Sequence, residues 1–75
     1  MKFKVYGKPQ CGFCVKAKYL LESKGIEYEY VDLLEDAEAM KFVKESGAKT
    51  VPQIYDVTAD PKLVGGFDDL QKLLG

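Results

Sequence analysis

The chain is predicted to form a small α/β domain, because three features of its 75 residues agree. Segments in which polar and apolar residues alternate are separated by segments whose apolar residues recur at helical spacing. Glycine or proline stands at most of the boundaries between them. A hydrophobic share of 47% and a charged share of 31% are typical of one globular core with a soluble surface. We therefore expect a single domain over residues 1–75.

A strand and a helix are predicted first. Polar and apolar residues alternate over Lys2–Tyr6, and the glycine- and proline-containing residues 7–10 break this pattern. From Gly12 onward the apolar period becomes helical, and Gly25 is expected to end that helix. The apolar positions of this helix are Phe13, Ala17, Leu20 and Leu21.

A second strand and a second helix follow. Residues Ile26–Leu33 alternate again and are rich in strand-forming side chains. The acidic residues Glu35, Asp36 and Glu38 favour the start of a helix, because its first turn carries a partial positive charge. Ser46 and Gly47 are expected to end it. The apolar stripe of this helix is predicted to contain Ala39, Met40 and Val43.

The last third of the chain predicts a hairpin and a final helix. Strands are expected over Gln53–Val57 and Leu63–Gly65, joined by a turn at Thr58–Lys62. Residues 66–69 open a helix that carries Leu70, Leu73 and Leu74. The predicted order is β-α-β-α-β-β-α, with a parallel first βαβ unit and a four-stranded mixed sheet flanked by three helices.

Composition excludes several classes of function. A net charge of −1 offers no basic face to nucleic acid or to an anionic membrane. The chain has no histidine, which excludes Cys–His catalysis and imidazole metal sites. No apolar run approaches the ~20 residues of a membrane span, and because a strand is predicted from Lys2 onward we expect no signal peptide. We expect a cytoplasmic monomer with neither nucleic acid nor membrane as a partner.

The only two cysteines, Cys11 and Cys14, are separated by two residues and lie at the start of the first predicted helix. A disulfide that closes so short a loop stabilises a fold by only about 2 kcal/mol, so we interpret this pair as redox-active and not as a structural disulfide. Backbone N–H groups at the helix start favour a thiolate at Cys11, and Lys8 adds a nearby positive charge. We expect Cys11 to attack substrates and the less exposed Cys14 to resolve the mixed disulfide.

The two cysteines also have two other interpretations. Both side chains can serve as small core hydrophobes, although this spacing at a helix start would then be a coincidence. A structural zinc site needs four ligands, and the chain supplies two thiols and no imidazole. A zinc site shared between two chains remains open.

Three motifs occur in a familiar order: Cys11-Gly12-Phe13-Cys14, then Thr50-Val51-Pro52, then Gly65-Gly66-Phe67-Asp68-Asp69. Together they resemble the glutaredoxins, and the resemblance covers nearly the whole chain. It implies a thioredoxin-like fold and an enzyme that reduces protein disulfides and glutathione mixed disulfides, with glutathione as the reductant and no metal. It also suggests ribonucleotide reductase as a client that receives hydrogen from this chain.

The resemblance further implies a glutathione groove beside the catalytic Cys11 and Cys14. Lys8 would pair with the glycine carboxylate of glutathione, and the backbone of Val51, before a cis-proline, would pair with its cysteinyl residue. The start of the last helix would receive the γ-glutamyl carboxylate, and Asp68 the ammonium group. The implied groove residues are Lys8, Phe13, Thr50, Val51, Pro52, Gly66, Phe67 and Asp68.

The chain departs from the family pattern at three places. Gly12 stands where proline is usual, Phe13 where tyrosine is frequent, and the Thr58–Lys62 connection is longer than the common tight turn. Phe67 has two interpretations, as a ligand contact or as a core residue. Three other functions also remain open: a thioredoxin-like hydrogen donor reduced by a flavoprotein, a carrier of a [2Fe–2S] cluster held by Cys11 of two chains with glutathione, and a non-catalytic binding module.

Overall fold

The computed structural model describes all residues 1–75 and contains one mixed sheet of four strands in the order β2-β1-β3-β4. Strand β1 pairs in parallel with β2 and antiparallel with β3, and β3 pairs antiparallel with β4. This arrangement confirms the predicted fold class. The strands are β1 (Lys2–Gly7), β2 (Glu27–Asp32), β3 (Gln53–Asp56) and β4 (Lys62–Gly65).

Three helices cover the two faces of the sheet: α1 (Gly12–Ser23), α2 (Ala37–Glu45) and α3 (Phe67–Leu74). Side chains alternate between the two faces along β1, which gives the chain two apolar clusters. The cluster under α1 and α3 contains Phe3, Val5, Ala17, Leu21, Ile54 and Leu70, and the cluster under α2 contains Tyr6, Val31, Leu33, Ala39 and Val43. None of the helices has the length and apolar character needed to cross a membrane.

The predicted strand ends are wrong by one residue at several places, each for a local reason. Strand β1 extends to Gly7, which pairs with Asp32 of β2. Ile26 lies outside β2 because its N–H bonds back to Leu21 at the end of α1. Strand β3 stops at Asp56 because its carboxylate accepts the N–H of Thr58 at 2.9 Å and starts the turn.

The predicted helix ends agree with the structure. Gly25 has φ +65°, in the left-handed region that commonly follows a helix. The acidic start of α2 is explained by Asp36, whose carboxylate accepts the N–H of Ala39 at 3.0 Å. Ser46 is the C-cap of the same helix.

Some apolar positions predicted by helical spacing are not buried. Leu20 and Met40 are only partly buried. Phe13 is 55% exposed because the buried stripe of α1 runs through Cys14, Ala17 and Leu21, and Phe13 lies beside this stripe. In α3, Leu70 is fully buried, whereas Leu73 lies on the outer flank and is 54% exposed.

Substitution of Leu70 and of Leu73 tests which face of α3 packs into the core. Leu70→Ala removes a fully buried side chain and is expected to lower the free energy of unfolding by about 2–5 kcal/mol. Leu73→Ala removes the same atoms from an exposed position and is expected to cost less than about 1 kcal/mol. Urea unfolding followed by circular dichroism measures both, and equal losses would contradict the assignment of α3 to the core.

Candidate active site

The three motifs meet at one edge of the sheet because of the strand directions. Strand β1 ends at this edge, and the antiparallel β3 begins there, since Tyr6 pairs with Gln53. Strand β4 runs antiparallel to β3 and therefore ends at the same edge, where Gly65 pairs with Ile54. The cysteines after β1, the loop before β3 and the start of α3 after β4 are consequently neighbours.

Cys11 is the N-cap of α1, as predicted. Its backbone is extended, with φ −98° and ψ 110°, and its Sγ accepts the backbone N–H of Cys14 at 3.2 Å. The two cysteines form a disulfide, with their Cα atoms 5.2 Å apart. Cys11 is partly exposed, whereas Cys14 is 1% exposed, so only one sulfur is open to an incoming substrate.

Gln10, directly before the cysteines, has a φ of 62°. This left-handed backbone costs a residue with a side chain on the order of 1 kcal/mol. The turn brings the chain from the end of β1 into the N-cap position of Cys11. Sequence reasoning missed this feature, because glutamine carries no signal for a left-handed conformation.

The loop before β3 lies against Cys11. The Val51–Pro52 peptide bond is cis, as the family resemblance implied. The carbonyl oxygen of Val51 is 3.9 Å from Cys11 Sγ, and Pro52 is buried. The side-chain amide of Gln53 donates to the carbonyl of Thr50 at 2.7 Å and holds the loop from the strand side.

The start of α3 closes the other side of the site. Gly66 is the N-cap, and its N–H donates to the carboxylate of Asp69 at 3.2 Å. Gly65, with φ +125°, packs so closely on the Asp69 side chain that a Cβ there would overlap it. Asp68 is exposed. Sequence reasoning missed the capping role of Asp69, although an acidic residue three positions after a helix cap is a known signal.

Phe67 has the core position considered for it and also lies beside a ring at the site. It is partly buried and packs against the core cluster under α1 and α3. Its ring centroid also lies 6.2 Å from that of Phe13, at an interplanar angle of 34°. Lys16 Nζ stands 5.1 Å from the ring centroid of Phe13. The two rings therefore form an apolar wall next to the cysteines.

Two open cavities flank the loop before β3, and both are lined by Thr50 and Val51. The cavity toward α3 has a volume of about 290 Å³, and its charged residues are Asp68 and Asp69. The cavity toward α2 has a volume of about 420 Å³ and an apolar floor, and its charged residues are Lys8, Lys44 and Lys49. All eight predicted groove residues line one of these two cavities: Lys8, Phe13, Thr50, Val51, Pro52, Gly66, Phe67 and Asp68.

Gly7 and Tyr30 lie beneath the cysteines and were not predicted to belong to the site. Gly7 is buried, and a Cβ there would stand 2.8 Å from Cys14 Sγ and 2.5 Å from the hydroxyl oxygen of Tyr30. That hydroxyl donates to the carbonyl of Lys8 at 3.3 Å. Burial, together with the charge of Asp32, raises the pKa of Tyr30. The alternating pattern of β2 indicated only packing for this tyrosine.

Comparison with known proteins agrees with this geometry. The family model described as Glutaredoxin matches residues 3–63. Glutaredoxin 1 of Rickettsia prowazekii is 44% identical over 72 residues, which cover 92% of this chain and 73% of that protein. The hybrid peroxiredoxin hyPrx5 of Haemophilus influenzae is 43% identical over 68 residues, but these cover 91% of this chain and only 27% of that longer protein.

A solved structure agrees in fold. The glutaredoxin-like protein NrdH-redoxin from Escherichia coli superposes with a TM-score of 0.82, covering 100% of this chain and 96% of that chain at 22% sequence identity. At this identity the likeness establishes the thioredoxin-like fold alone. The family match and the Rickettsia relative establish more: the chain belongs to the glutaredoxin family and is a thiol–disulfide oxidoreductase.

Proposed function

We propose that this chain is a glutathione-dependent dithiol oxidoreductase that reduces protein disulfides and glutathione mixed disulfides. The observation that carries the proposal is the pair of oppositely charged cavities that meet at Val51, whose carbonyl is 3.9 Å from Cys11 Sγ. Glutathione is an extended tripeptide with carboxylates at both ends and an ammonium group at one. Its charges match this distribution when its cysteine lies against Val51.

In this proposal each end of glutathione has a partner. Its glycine carboxylate lies toward Lys8, in the cavity that contains lysines and no acidic residue. Its ammonium group lies toward Asp68, and the γ-glutamyl carboxylate accepts from the N–H groups of the first turn of α3. Because the N–H of Gly66 already donates to Asp69, those of Phe67 and Asp68 are the ones assigned to this carboxylate.

The proposed reaction is two successive thiol–disulfide exchanges. The thiolate of Cys11 attacks one sulfur of the substrate disulfide, forms a mixed disulfide and releases the first substrate thiol. The thiolate of Cys14 then attacks the Cys11 sulfur, which releases the second thiol and leaves the Cys11–Cys14 disulfide present in the structure. Two glutathione molecules reduce this disulfide through the reverse exchanges and become one oxidised glutathione.

The N-cap geometry supports Cys11 as the attacking thiol. The N–H of Cys14 points to Cys11 Sγ at 3.2 Å, where it would stabilise a thiolate formed on reduction. Cys11 is also the more exposed of the two cysteines. We include ribonucleotide reductase among the disulfide clients and place the monomeric protein in the cytoplasm, on the family resemblance.

The electron source tests the proposal. Consumption of NADPH is followed with a glutathione mixed disulfide as substrate, once with glutathione and glutathione reductase and once with thioredoxin reductase alone. We expect turnover in the first assay and none in the second. Turnover in the second assay only would overturn the glutathione assignment in favour of a donor reduced by a flavoprotein.

The cysteines are expected to separate by role. Cys11→Ser removes the attacking sulfur and should abolish both protein disulfide reduction and glutathione mixed-disulfide exchange. Cys14→Ser removes only the resolving sulfur, so protein disulfide reduction should be lost while mixed-disulfide exchange continues. Insulin reduction and the NADPH-coupled assay measure the two activities. Retention of mixed-disulfide exchange by Cys11→Ser would contradict the roles assigned.

Lys8 is expected to contribute to glutathione affinity. Lys8→Gln removes one charge from the lysine-lined cavity and should raise the KM for glutathione roughly two- to fivefold at low salt, the effect typical of an exposed ion pair. The difference in KM between the variant and the wild type should shrink at high salt, because salt screens the ion pair that the wild-type lysine makes. Lys24→Gln, at the far end of α1, is the matched control and should leave the KM unchanged. Equal KM values for the two variants would remove Lys8 from the binding site.

A further inference from the structure

We propose that the Tyr30 hydroxyl donates a hydrogen bond to the Cys14 thiolate and thereby supports the resolving step. This inference rests on the proposed function, in which Cys14 resolves the mixed disulfide. It gives a role to a β2 side chain that lines neither of the two cavities and whose hydroxyl lies under the cysteine loop.

The geometry that carries the inference is centred on Gly7. The position that a Cβ of Gly7 would occupy is 2.8 Å from Cys14 Sγ and 2.5 Å from the hydroxyl oxygen of Tyr30. The two atoms are therefore neighbours in the space that the missing side chain leaves free. Gly7 is itself buried, and it pairs with Asp32 of β2.

Cys14 needs such a donor because its sulfur is buried. The residue is 1% exposed, and a thiolate at this position loses most of its contact with water. Apart from the hydroxyl of Tyr6, the buried core contains no oxygen- or nitrogen-bearing side chain, and the chain has no histidine. The N–H of Cys14 is directed at Cys11 Sγ. The Tyr30 hydroxyl is thus the polar side-chain group placed next to this sulfur.

Tyr30 is suited to act as a hydrogen-bond donor to the Cys14 thiolate, because its phenol stays protonated. Burial and the negative charge of Asp32 raise the pKa of Tyr30, which keeps the phenol protonated at neutral pH. From α1, the Nζ of Lys18 stands 4.3 Å from its ring centroid. The present bond from its hydroxyl to the carbonyl of Lys8 is long, at 3.3 Å, so a bond to a charged sulfur in its place would be the stronger of the two.

The resolving step balances without a change in Tyr30. Cys14 loses its proton to solvent, and its thiolate forms the bond to Cys11 Sγ. The bond between Cys11 and the substrate sulfur breaks, the electron pair leaves on that sulfur, and the released thiolate takes a proton from solvent. Tyr30 keeps its proton throughout and donates to Cys14 only while that sulfur is charged.

Tyr30→Phe tests the inference, because it removes the hydroxyl and keeps the ring beneath Lys18. We expect protein disulfide reduction at neutral pH to fall roughly tenfold and its pH profile to move upward by about one unit, the loss expected for a hydrogen bond to a charged group. In a Cys11→Ser background, the absorbance of the Cys14 thiolate should titrate at correspondingly higher pH. In a Cys14→Ser background, Tyr30→Phe should not move the pH profile of glutathione mixed-disulfide exchange, because that profile reports the Cys11 thiolate and not Cys14.

Tyr28→Phe is the matched control. Tyr28 lies two positions earlier on β2, and its hydroxyl bonds to Glu22 instead of lying at the cysteines. We expect this variant to retain the wild-type rate and pH profile of disulfide reduction.

The failure of this inference and that of the proposed function have different signatures. A wild-type rate and pH profile in Tyr30→Phe, together with loss of protein disulfide reduction in Cys14→Ser, would overturn the role of Tyr30 alone. Full protein disulfide reduction by Cys14→Ser would overturn the resolving role of Cys14, and the inference with it. Equal slowing by Tyr30→Phe and Tyr28→Phe would show a general effect on β2 and would also overturn the inference.

Discussion

The structure depends on the pairing of β1 with both of its neighbours. Its parallel register with β2 and its antiparallel register with β3 hold the strand in the middle of the sheet. Phe3 and Val5 anchor one apolar cluster from this position, and Tyr6 belongs to the other. The same registers bring the end of β1, the start of β3 and the end of β4 to one edge. Every group proposed to act on a disulfide follows from that convergence.

At this edge the backbone makes the two cysteines unequal. Cys11 occupies the N-cap, partly exposed and opposite the Val51 carbonyl, and it accepts a hydrogen bond from the first turn of α1. Cys14 lies one turn into the helix, where it is buried over Gly7. A nucleophile must be reachable by a large substrate, whereas a resolving thiol needs to reach only its partner. The start of α1 meets both requirements, because it exposes Cys11 and buries Cys14 although only two residues separate them.

Much of this arrangement was predictable, because periodicity reports which face of an element is apolar. The order of elements, the N-cap position of Cys11 and the burial of Cys14 all follow from patterns visible in the residues. Periodicity does not decide between two adjacent apolar positions, and for this reason Phe13 was expected on the buried stripe, whereas the stripe begins at Cys14 and Phe13 is exposed. The cis bond before Pro52 came from the family resemblance and not from the residues themselves.

Other features of the site depend on contacts that no local pattern encodes. Gly7 was interpreted as a break after β1, but its role is steric, since Cys14 and Tyr30 approach it from different elements. The left-handed turn at Gln10 is imposed by the path from β1 to α1. The opposite charges of the two cavities become visible only when α2, α3 and the loop before β3 are assembled around Val51.

The most direct test of the account is to locate glutathione on the protein. A stable mixed disulfide between Cys11 of the Cys14→Ser variant and isotope-labelled glutathione can be examined by NMR. The account predicts intermolecular contacts from the cysteinyl part of glutathione to Val51, from its glycine end to the Lys8 side, and from its γ-glutamyl end to the first turn of α3. Contacts in the opposite orientation, with the glycine end at α3 and the γ-glutamyl end at Lys8, would contradict the account. The absence of contacts beyond Cys11 would contradict it as well.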